Sequence, residues 1–381
     1  MNYIAPLLHG GIAHLIWILF WFLVVLTILV FVHELGHYLI ARRSGVRIEV
    51  FSIGFGPELF GWYDRAGTRW KFSTVPLGGY VKMFGDSDAS SVLPSMQLGG
   101  MTAEERAVSF FHKRLGQRAA IVSGGPLANF AFAIVVLALL FATYGQPFTP
   151  ANVGHVQANS AADRGGIKVG DTIVRINGHT IARFEDVKQI VSLDLGEPMV
   201  IDLKRDGQLV TLHITPTLSE TTDRFGNRHE IGFLGIGPSG TEYVKRNPVS
   251  AVFQAFHETW NLVSGTFQAI WQMIIGTRSS DELGGPLRIA QMSGEVAEGG
   301  IVPLLWFMAV LSVNLGLINL FPVPVLDGGH LLFYAAEAIR GRPLGEKAQE
   351  YGFRIGLALV LTLMVFATWN DILHVWRSLV S

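Results

Sequence analysis

Five consecutive residues, His33-Glu34-Leu35-Gly36-His37, carry the side chains best suited to chemistry in this sequence. On a helix, residues i and i+4 share one face, so the two imidazoles can reach a single metal ion. Glu34 lies one position along, where it can act as a base on a water held by the metal without being a ligand. The spacing predicts a hydrolytic zinc site. The alternative is a cluster of polar residues at the end of a helix.

Asp327 is the candidate for the third protein ligand, which a hydrolytic zinc site needs beside one open position. It lies in the apolar region 301–338, behind Pro322 and Pro324, which break a helix and remove backbone donors. Broken backbone at membrane depth is tolerated only where it is buried in protein or lines a watery cavity. A Pro-Gly loop with Asp327 as a helix cap is the competing interpretation, and the first motif makes it the weaker one.

The element that must position the first motif is a membrane span. Residues 15–32 are apolar except for Thr27, which fits a transmembrane helix. No Lys or Arg precedes Arg42, which argues against a cleaved signal peptide. The predicted spans are 1–42 with the His-Glu-His motif, 118–145, the proline-broken 301–338 and 350–376.

The composition agrees with an integral membrane protein. Of 381 residues, 50% are hydrophobic and only 15% are charged, and the mean hydropathy is +0.38, whereas soluble domains carry about 25% charged residues. A net charge of −1 argues against a general nucleic-acid binder. The absence of cysteine excludes thiol nucleophiles, disulfides and Cys-type zinc sites.

Basic residues predict the orientation of the chain. They cluster after the first span, before the second and after the third, at Arg42, Arg43, Arg47, Lys113, Arg114, Arg118, Arg340, Arg342 and Lys347. The positive-inside rule places these clusters in the cytoplasm. Both termini and the region between the second and third spans then lie outside.

Two polar regions separate the spans. The cytoplasmic region 43–117 contains strand-like stretches at 47–55 and 69–84, and the capping-box spacing at 102–105 predicts a helix leading into the second span. The outer region begins with a domain at 150–217, in which we expect a strand at 171–177, a helix at 184–193 and a strand pair across 205–207. The amphipathic region 247–300 is predicted to lie on the membrane surface rather than to span it.

The sequences HELGH and NLFPVPVLDGGH together resemble the site-2 protease family of intramembrane zinc metalloproteases, in its bacterial RseP-type branch. Further matches are SGGPLAN at 123–129, PLGGYVK at 76–82, GGP at 284–286 and IAQ at 289–291. The stretch AADRGGIKVGDTIVRING at 161–178 resembles a PDZ domain of the permuted bacterial kind. One such domain is found here, where some members of the family have two.

The resemblance implies roles for the candidate residues. The zinc ligands are His33, His37 and Asp327, and the catalytic glutamate is Glu34. Near the site, substrate is held or the oxyanion stabilised by Asn314 and Asn319. The second span packs closely on the first through Gly125 and Asn129.

A substrate helix must unwind before its peptide bond can be attacked, and the freed backbone then needs new partners. A strand edge beside the site can supply them. The candidate is the stretch 72–83, and the pairing residues would be Gly78, Gly79 and Tyr80. The alternative, equally open at this stage, is that the hairpin only covers the cytoplasmic face.

The sequence thus predicts a polytopic α-helical membrane protein with about four transmembrane helices, an inserted PDZ-like α/β domain and a small cytoplasmic β-hairpin region. It is expected in the bacterial inner membrane, with both termini and the PDZ domain periplasmic. The resemblance implies a zinc metalloendopeptidase of regulated intramembrane proteolysis in stress responses. Its expected partners are single-span substrates (anti-sigma factor remnants and remnant signal peptides), membrane lipids and a peptide ligand of the PDZ domain.

Two other classes compete with this interpretation. A non-catalytic PDZ-bearing membrane scaffold with a structural metal site would need no catalytic glutamate. A metal transporter would need ligands spread across the spans, but the membrane-depth carboxylates are confined to Glu34 and Asp327. The protease is therefore the favoured prediction.

Overall fold

The computed structural model describes residues 11–86, 101–181, 183–193, 196–222, 228–240, 242–276 and 284–380. Parts of the predicted 1–42, 43–117, 150–217 and 247–300 regions lie outside these residues. The chain divides into two compact units, one of Met1–Ala138, Val252–Thr266 and Asp281–Ser381, and the other of Leu139–Ala251 and Phe267–Ser280.

The helices follow the predicted apolar and amphipathic segments. In chain order they are α1 Gly11–Arg43, α2 Ala103–Val108, α3 Leu115–Thr143, α4 Ala161–Arg164, α5 Phe184–Leu193, α6 Pro248–Ile274, α7 Pro286–Glu298, α8 Ile301–Asn319, α9 Asp327–Arg340 and α10 Glu346–Val380. Among the described helices, four are long and apolar enough to cross a membrane, namely α1, α3, α8 and the Lys347–Ile372 part of α10. The chain is therefore a membrane protein.

The strands form one hairpin in the first unit and several small sheets in the second. They are β1 Ile48–Tyr63, β2 Arg69–Met83, β3 Gln146–Phe148, β4 Val153–Val156, β5 Thr172–Ile176, β6 His179–Thr180, β7 Met199–Arg205, β8 Gln208–Ile214, β9 Thr217–Thr222, β10 Arg228–Phe233, β11 Ile236–Pro238 and β12 Glu242–Val244. The largest sheet has the order β6-β5-β7-β8, and β1, β3, β4 and β9 pair with β2, β12, β11 and β10.

Helices α1 and α3 cross at two glycines. A β-carbon on Gly36 would lie 2.1 Å from the carbonyl oxygen of Gly124, and one on Gly124 would lie 2.7 Å from that of Gly36. Small residues at a crossing let two helix backbones approach closely in a membrane. The crossing brings the C-terminal half of α1, which carries the histidines, directly against α3.

The hairpin β1–β2 is longer and more bent than the sequence predicts. Strand β1 continues to Tyr63, whereas the alternating pattern ends near residue 55. The first half of β1 pairs with two different stretches of β2. Phe51, for example, pairs with both Trp70 and Val81, and register shifts separate these pairings. Gly54, at φ +88°, follows that half, and bulged strands of this kind bend and continue. The buried ring of Phe51 stacks on Trp70 with a centroid distance of 4.1 Å.

The predicted capping box is present, but the helix it opens is short. The Thr102 side chain accepts from the backbone N–H of Glu105, and the Glu105 carboxylate accepts from that of Thr102. Helix α2 ends at Val108 because Ser109 has extended backbone. The predicted helix therefore precedes the second span without being continuous with it, and α3 starts separately at Leu115.

The second unit has its own apolar core. Sheet residues Ile173, Ile201 and Leu203 are almost completely buried in it. Helix α5 and the pair β7–β8 across Arg205-Asp206-Gly207 lie where the sequence predicts them. Burial of the Asp171 carboxyl opposes its charge, but hydrogen bonds from the Arg205 guanidinium keep the pKa of Asp171 below its ordinary value.

Candidate metal centre

Helix α1 holds the two histidines of the motif on one face, one turn apart. Their Nε2 atoms are 3.2 Å apart, and the rings meet edge to face with a centroid distance of 4.8 Å. Both side chains are largely buried, with 12% of His33 and 11% of His37 exposed. Two imidazoles in this arrangement present their Nε2 atoms to the same point.

Asp327 reaches that point from the start of α9. A β-carbon on Gly328 would lie 2.3 Å from the carbonyl oxygen of Leu320, and one on Gly329 would lie 2.3 Å from that of Val323. The proline-containing loop therefore folds back onto the first turn of α9, at a distance that only glycine permits. The Oδ2 atom of Asp327 consequently lies 3.2 Å from Nε2 of His33 and 3.5 Å from Nε2 of His37.

These three side chains fit a zinc ion. Their ligand atoms lie within 4.8 Å of one another, and they are the one such group of three in the described part of the chain. The Oδ2 atom of Asp327 is buried without a hydrogen-bond partner among the described residues, which is costly for a carboxylate unless a cation faces it. Two imidazoles and one carboxylate form a ligand set of catalytic zinc sites, which keep a fourth position open.

Helix α3 lines the other side of the histidines. The carbonyl oxygen of Ile121 lies 2.9 Å from Nδ1 of His37, and the Asn129 carboxamide lies 3.2 Å from Nδ1 of His33. A β-carbon on Gly125 would approach Nε2 of His37 to 2.3 Å and Cε1 of His33 to 2.7 Å. The two imidazole rings therefore pack directly against Gly125. Both residues predicted to pack near the site, Gly125 and Asn129, contact the histidines.

The hairpin passes beside Glu34. A β-carbon on Gly79 would lie 3.2 Å from Cγ of Glu34. The neighbouring Gly78 has φ +118°, a conformation that favours glycine. Tyr80 is partly buried and its ring stacks on Phe55 with a centroid distance of 6.0 Å. Of the three candidate strand-pairing residues, Gly79 thus lies next to the predicted catalytic glutamate.

The two predicted asparagines lie on α8. Asn314 is partly buried, and its Oδ1 atom is 3.1 Å from the Thr266 hydroxyl of α6. Asn319 is the last residue of α8, directly before the loop that leads to Asp327. The hydrogen bond of Asn314 is therefore with a residue of α6. Its role toward substrate remains a prediction.

Two contacts near the site could not be predicted from the sequence. The carbonyl of Ile121 is a backbone group, which any residue offers. Arg118 at the start of α3 donates to Glu337 of α9 at 2.5 Å, and its guanidinium lies 5.0 Å from the Tyr334 ring. This largely buried ion pair ties the helix that begins with Asp327 to the helix that cradles the histidines. In a sequence, a basic residue before a membrane span indicates only the orientation of the chain, so the ion pair of Arg118 could not be foreseen.

The far end of the hairpin is anchored to α1 through Asp64. Its carboxylate accepts hydrogen bonds from the Tyr38 hydroxyl at 2.7 Å and from the Trp70 indole at 3.1 Å. Burial opposes the charge, but these bonds and those from the backbone N–H groups of Thr68 and Ala66 lower the pKa of Asp64 to about 2. The carboxylate therefore holds β1 and β2 against the helix turn that follows His37.

The sequence matches a family model described as Peptidase family M50 over residues 21–363. It is 50% identical over 355 residues to "Putative zinc metalloprotease Atu1380" of Agrobacterium fabrum, which covers 92% of this chain and 94% of the relative. It is 39% identical over 373 residues to Metalloprotease MmpA of Caulobacter vibrioides, with the same two coverages.

Among solved structures, a PDZ domain of an SdrC-like protein from Listeria monocytogenes matches 24% of this chain and 88% of its own. The sequence identity is 18% and the TM-score is 0.19. A likeness at that score carries no argument about this chain.

Proposed function

The chain belongs to peptidase family M50 and is an intramembrane zinc metalloprotease, and we propose that it cleaves single-span membrane proteins within the bacterial inner membrane. The predicted enzyme class and zinc dependence are confirmed by this membership. The proposed zinc ligands are His33, His37 and Asp327, with Glu34 as the catalytic residue. The observation that carries this assignment is the convergence of three largely buried side chains, whose ligand atoms lie within 4.8 Å of one another and beside Glu34 in the sequence.

In the proposed mechanism, His33, His37 and Asp327 would hold zinc, which would act there as a Lewis acid toward the scissile carbonyl and would lower the pKa of water. Glu34 takes the proton of the attacking water and returns it to the leaving amine. Gly79 keeps the hairpin backbone close to Glu34, which limits the space for bulk water. Asn314 and Asn319 are proposed to hold substrate or to stabilise the oxyanion.

We propose further that substrate backbone pairs with the hairpin beside Glu34. In the described part of the chain, β1 and β2 pair only with each other, so the stretch at 79–83 has a neighbour on one side. An unwound substrate segment needs hydrogen-bond partners at membrane depth, and strand addition supplies them along its length. The closeness of Gly79 to Glu34 supports pairing at Gly78, Gly79 and Tyr80.

Disulfide crosslinking tests this pairing, because the chain has no cysteine of its own. We expect Tyr80→Cys, in a chain also carrying Glu34→Gln, to crosslink a single-span substrate whose cysteine is moved one position at a time. A paired strand places every second side chain on one face, so crosslinks should appear at alternate substrate positions. Tyr351→Cys on the exposed face of α10 is the control. Crosslinks with a spacing of three and four residues would show a bound helix and contradict the proposal.

The second unit is proposed to contain a PDZ-like domain that excludes some substrates and binds a peptide. The positive-inside assignment places this domain and both termini on the periplasmic side. Such a domain would exclude substrates that still carry a folded outer domain. On this view the natural substrates are remnants of anti-sigma factors and of signal peptides, as in regulated intramembrane proteolysis during stress.

Deleting this domain tests its role as a filter. Strand β11 pairs with β4, so the deletion should run over residues 150–240 rather than end with the predicted domain at 217. We expect the wild type to cut only a substrate whose outer domain has been removed, and the deletion variant to cut the intact and the shortened substrate alike. The same deletion with Glu34→Gln should cut neither. Unchanged selectivity in the active deletion variant would contradict the filter.

Helix α6 is proposed to lie on the membrane surface and to contact lipid. Its exposed side chains include Phe253, Phe256, Trp260 and Trp271, each more than 60% exposed. Aromatic and aliphatic side chains on one face of a helix bury into the boundary between headgroups and acyl chains.

A further inference from the structure

Asn129 is a buried polar residue whose position next to a metal ligand goes unused in the mechanism above. Its side chain is completely buried in α3. The Nδ2 atom lies 3.2 Å from Nδ1 of His33, while Oδ1 is buried without a hydrogen-bond partner in the described part of the chain. A buried polar atom left unpaired costs stability and calls for an explanation.

His37 shows what a ligand histidine needs at this site. Its Nδ1 atom lies 2.9 Å from the carbonyl oxygen of Ile121. A carbonyl can only accept, so the proton of the neutral His37 ring lies on Nδ1 and the lone pair lies on Nε2. That lone pair faces Asp327, where the metal is proposed to bind.

His33 needs the same tautomer, because its Nε2 atom also faces Asp327, at 3.2 Å. Its Nδ1 atom must then carry the proton and donate it to an acceptor. An amide nitrogen is a donor only. The Asn129 carboxamide lies within reach of Nδ1, and a half-turn about the Cβ–Cγ bond brings its oxygen, an acceptor, to the place of Nδ2.

We propose that Asn129 is a positioning residue: its carboxamide oxygen accepts the N–H of His33 Nδ1 and fixes the tautomer that offers Nε2 to zinc. The half-turn replaces a contact between two donors with a hydrogen bond to the carboxamide oxygen, and the amide nitrogen takes the oxygen's former position. The Asn129 backbone is held in place by the Ser312 hydroxyl, which donates to its carbonyl oxygen at 2.9 Å. This inference rests on the proposed zinc site. It gives Asn129 a hydrogen bond to one of the proposed ligands, in addition to its part in helix packing.

Zinc competition with a chelator, on the purified full-length chain, tests the role without relying on cleavage. Outer partners of ligand histidines contribute about 10- to 100-fold to metal affinity. Asn129→Leu keeps the shape and removes the acceptor, so we expect zinc affinity to fall by about that factor. Asn129→Asp keeps an acceptor oxygen in place, so affinity should stay at or above that of the wild type. Thr143→Val, which removes an exposed polar group from the same helix while keeping its shape, is the matched control and should bind zinc as the wild type does.

The outcomes separate this inference from the zinc site itself. A wild type that binds no zinc would overturn the proposed site. A wild type that binds zinc beside an Asn129→Leu chain that holds it equally tightly would overturn only the positioning role. Should Asn129→Leu fail to fold, Asn129→Asp decides, because a tenfold loss of zinc affinity there would show that the amide N–H rather than the oxygen is required. A role in packing alone would lower the unfolding temperature of the zinc-free chain in both variants without this split in affinity.

Discussion

Replacing Glu34 with Gln is expected to abolish cleavage while zinc stays bound. Gln has nearly the same shape as Glu but cannot take a proton from water. A positioned general base contributes about 10²- to 10⁴-fold, so we expect the rate to fall about 10³-fold. Zinc should remain, because its proposed ligands are His33, His37 and Asp327, and Glu34 is not among the three side chains whose ligand atoms converge.

The measurement is cleavage of a single-span substrate together with zinc per chain, for wild type and Glu34→Gln in parallel. Glu350→Gln makes the same chemical change in an exposed i,i+4 pair with Arg354 on α10. That pair contributes little, so this control should cleave at the wild-type rate. A non-catalytic scaffold with a structural metal predicts that Glu34→Gln changes nothing. A Glu34→Gln chain that still cuts would rule out the assigned base, whereas a wild type that binds zinc and cuts nothing would support the scaffold.

Adding one methyl group at Gly125 is expected to destroy the metal centre. A β-carbon there would lie 2.3 Å from Nε2 of His37 and 2.8 Å from Nε2 of His33, so both rings must move. Metal–ligand distances hold to within about 0.2 Å, and we expect Gly125→Ala to lose zinc and all measurable cleavage. Helix propensity works the other way, because Ala favours a helix interior by about 1 kcal/mol over Gly.

Gly116→Ala is the matched control, since it makes the same substitution in the same helix. A β-carbon at Gly116 meets nothing within 4 Å, so zinc content and cleavage should equal those of the wild type. Comparing zinc per chain in the two variants separates a clash with the ligands from a general effect on α3. If Gly125→Ala retained zinc, α3 could not lie as close to the histidines as the structure places it.

The proposed ligands could be selected from the sequence because simple rules point to them. The helical repeat alone places His33 and His37 on one face. Asp327 could be identified because prolines and a carboxylate within an apolar region are costly unless they serve a site. The role of Gly125 entered only through the family resemblance, since a glycine in an apolar span indicates close packing without showing what packs there.

Other parts of the site depend on tertiary contacts that no residue type reveals. The acceptor for His37 is the backbone carbonyl of Ile121, and a carbonyl is present at every position. The course of β1 beyond residue 55 depends on register shifts against β2, whereas the alternating pattern assumes a regular strand. The early end of α2 likewise follows from the extended backbone at Ser109, which the capping box at its other end does not encode.

The central claim is that His33, His37 and Asp327 together hold one zinc ion. The most direct test is the zinc content of the purified wild type and of Asp327→Ala, measured side by side after the same exposure to a chelator. We predict close to one zinc per chain in the wild type and almost none in Asp327→Ala, because two histidines alone leave the site without its carboxylate. Full zinc occupancy in Asp327→Ala, or a wild type without zinc, would contradict the assignment.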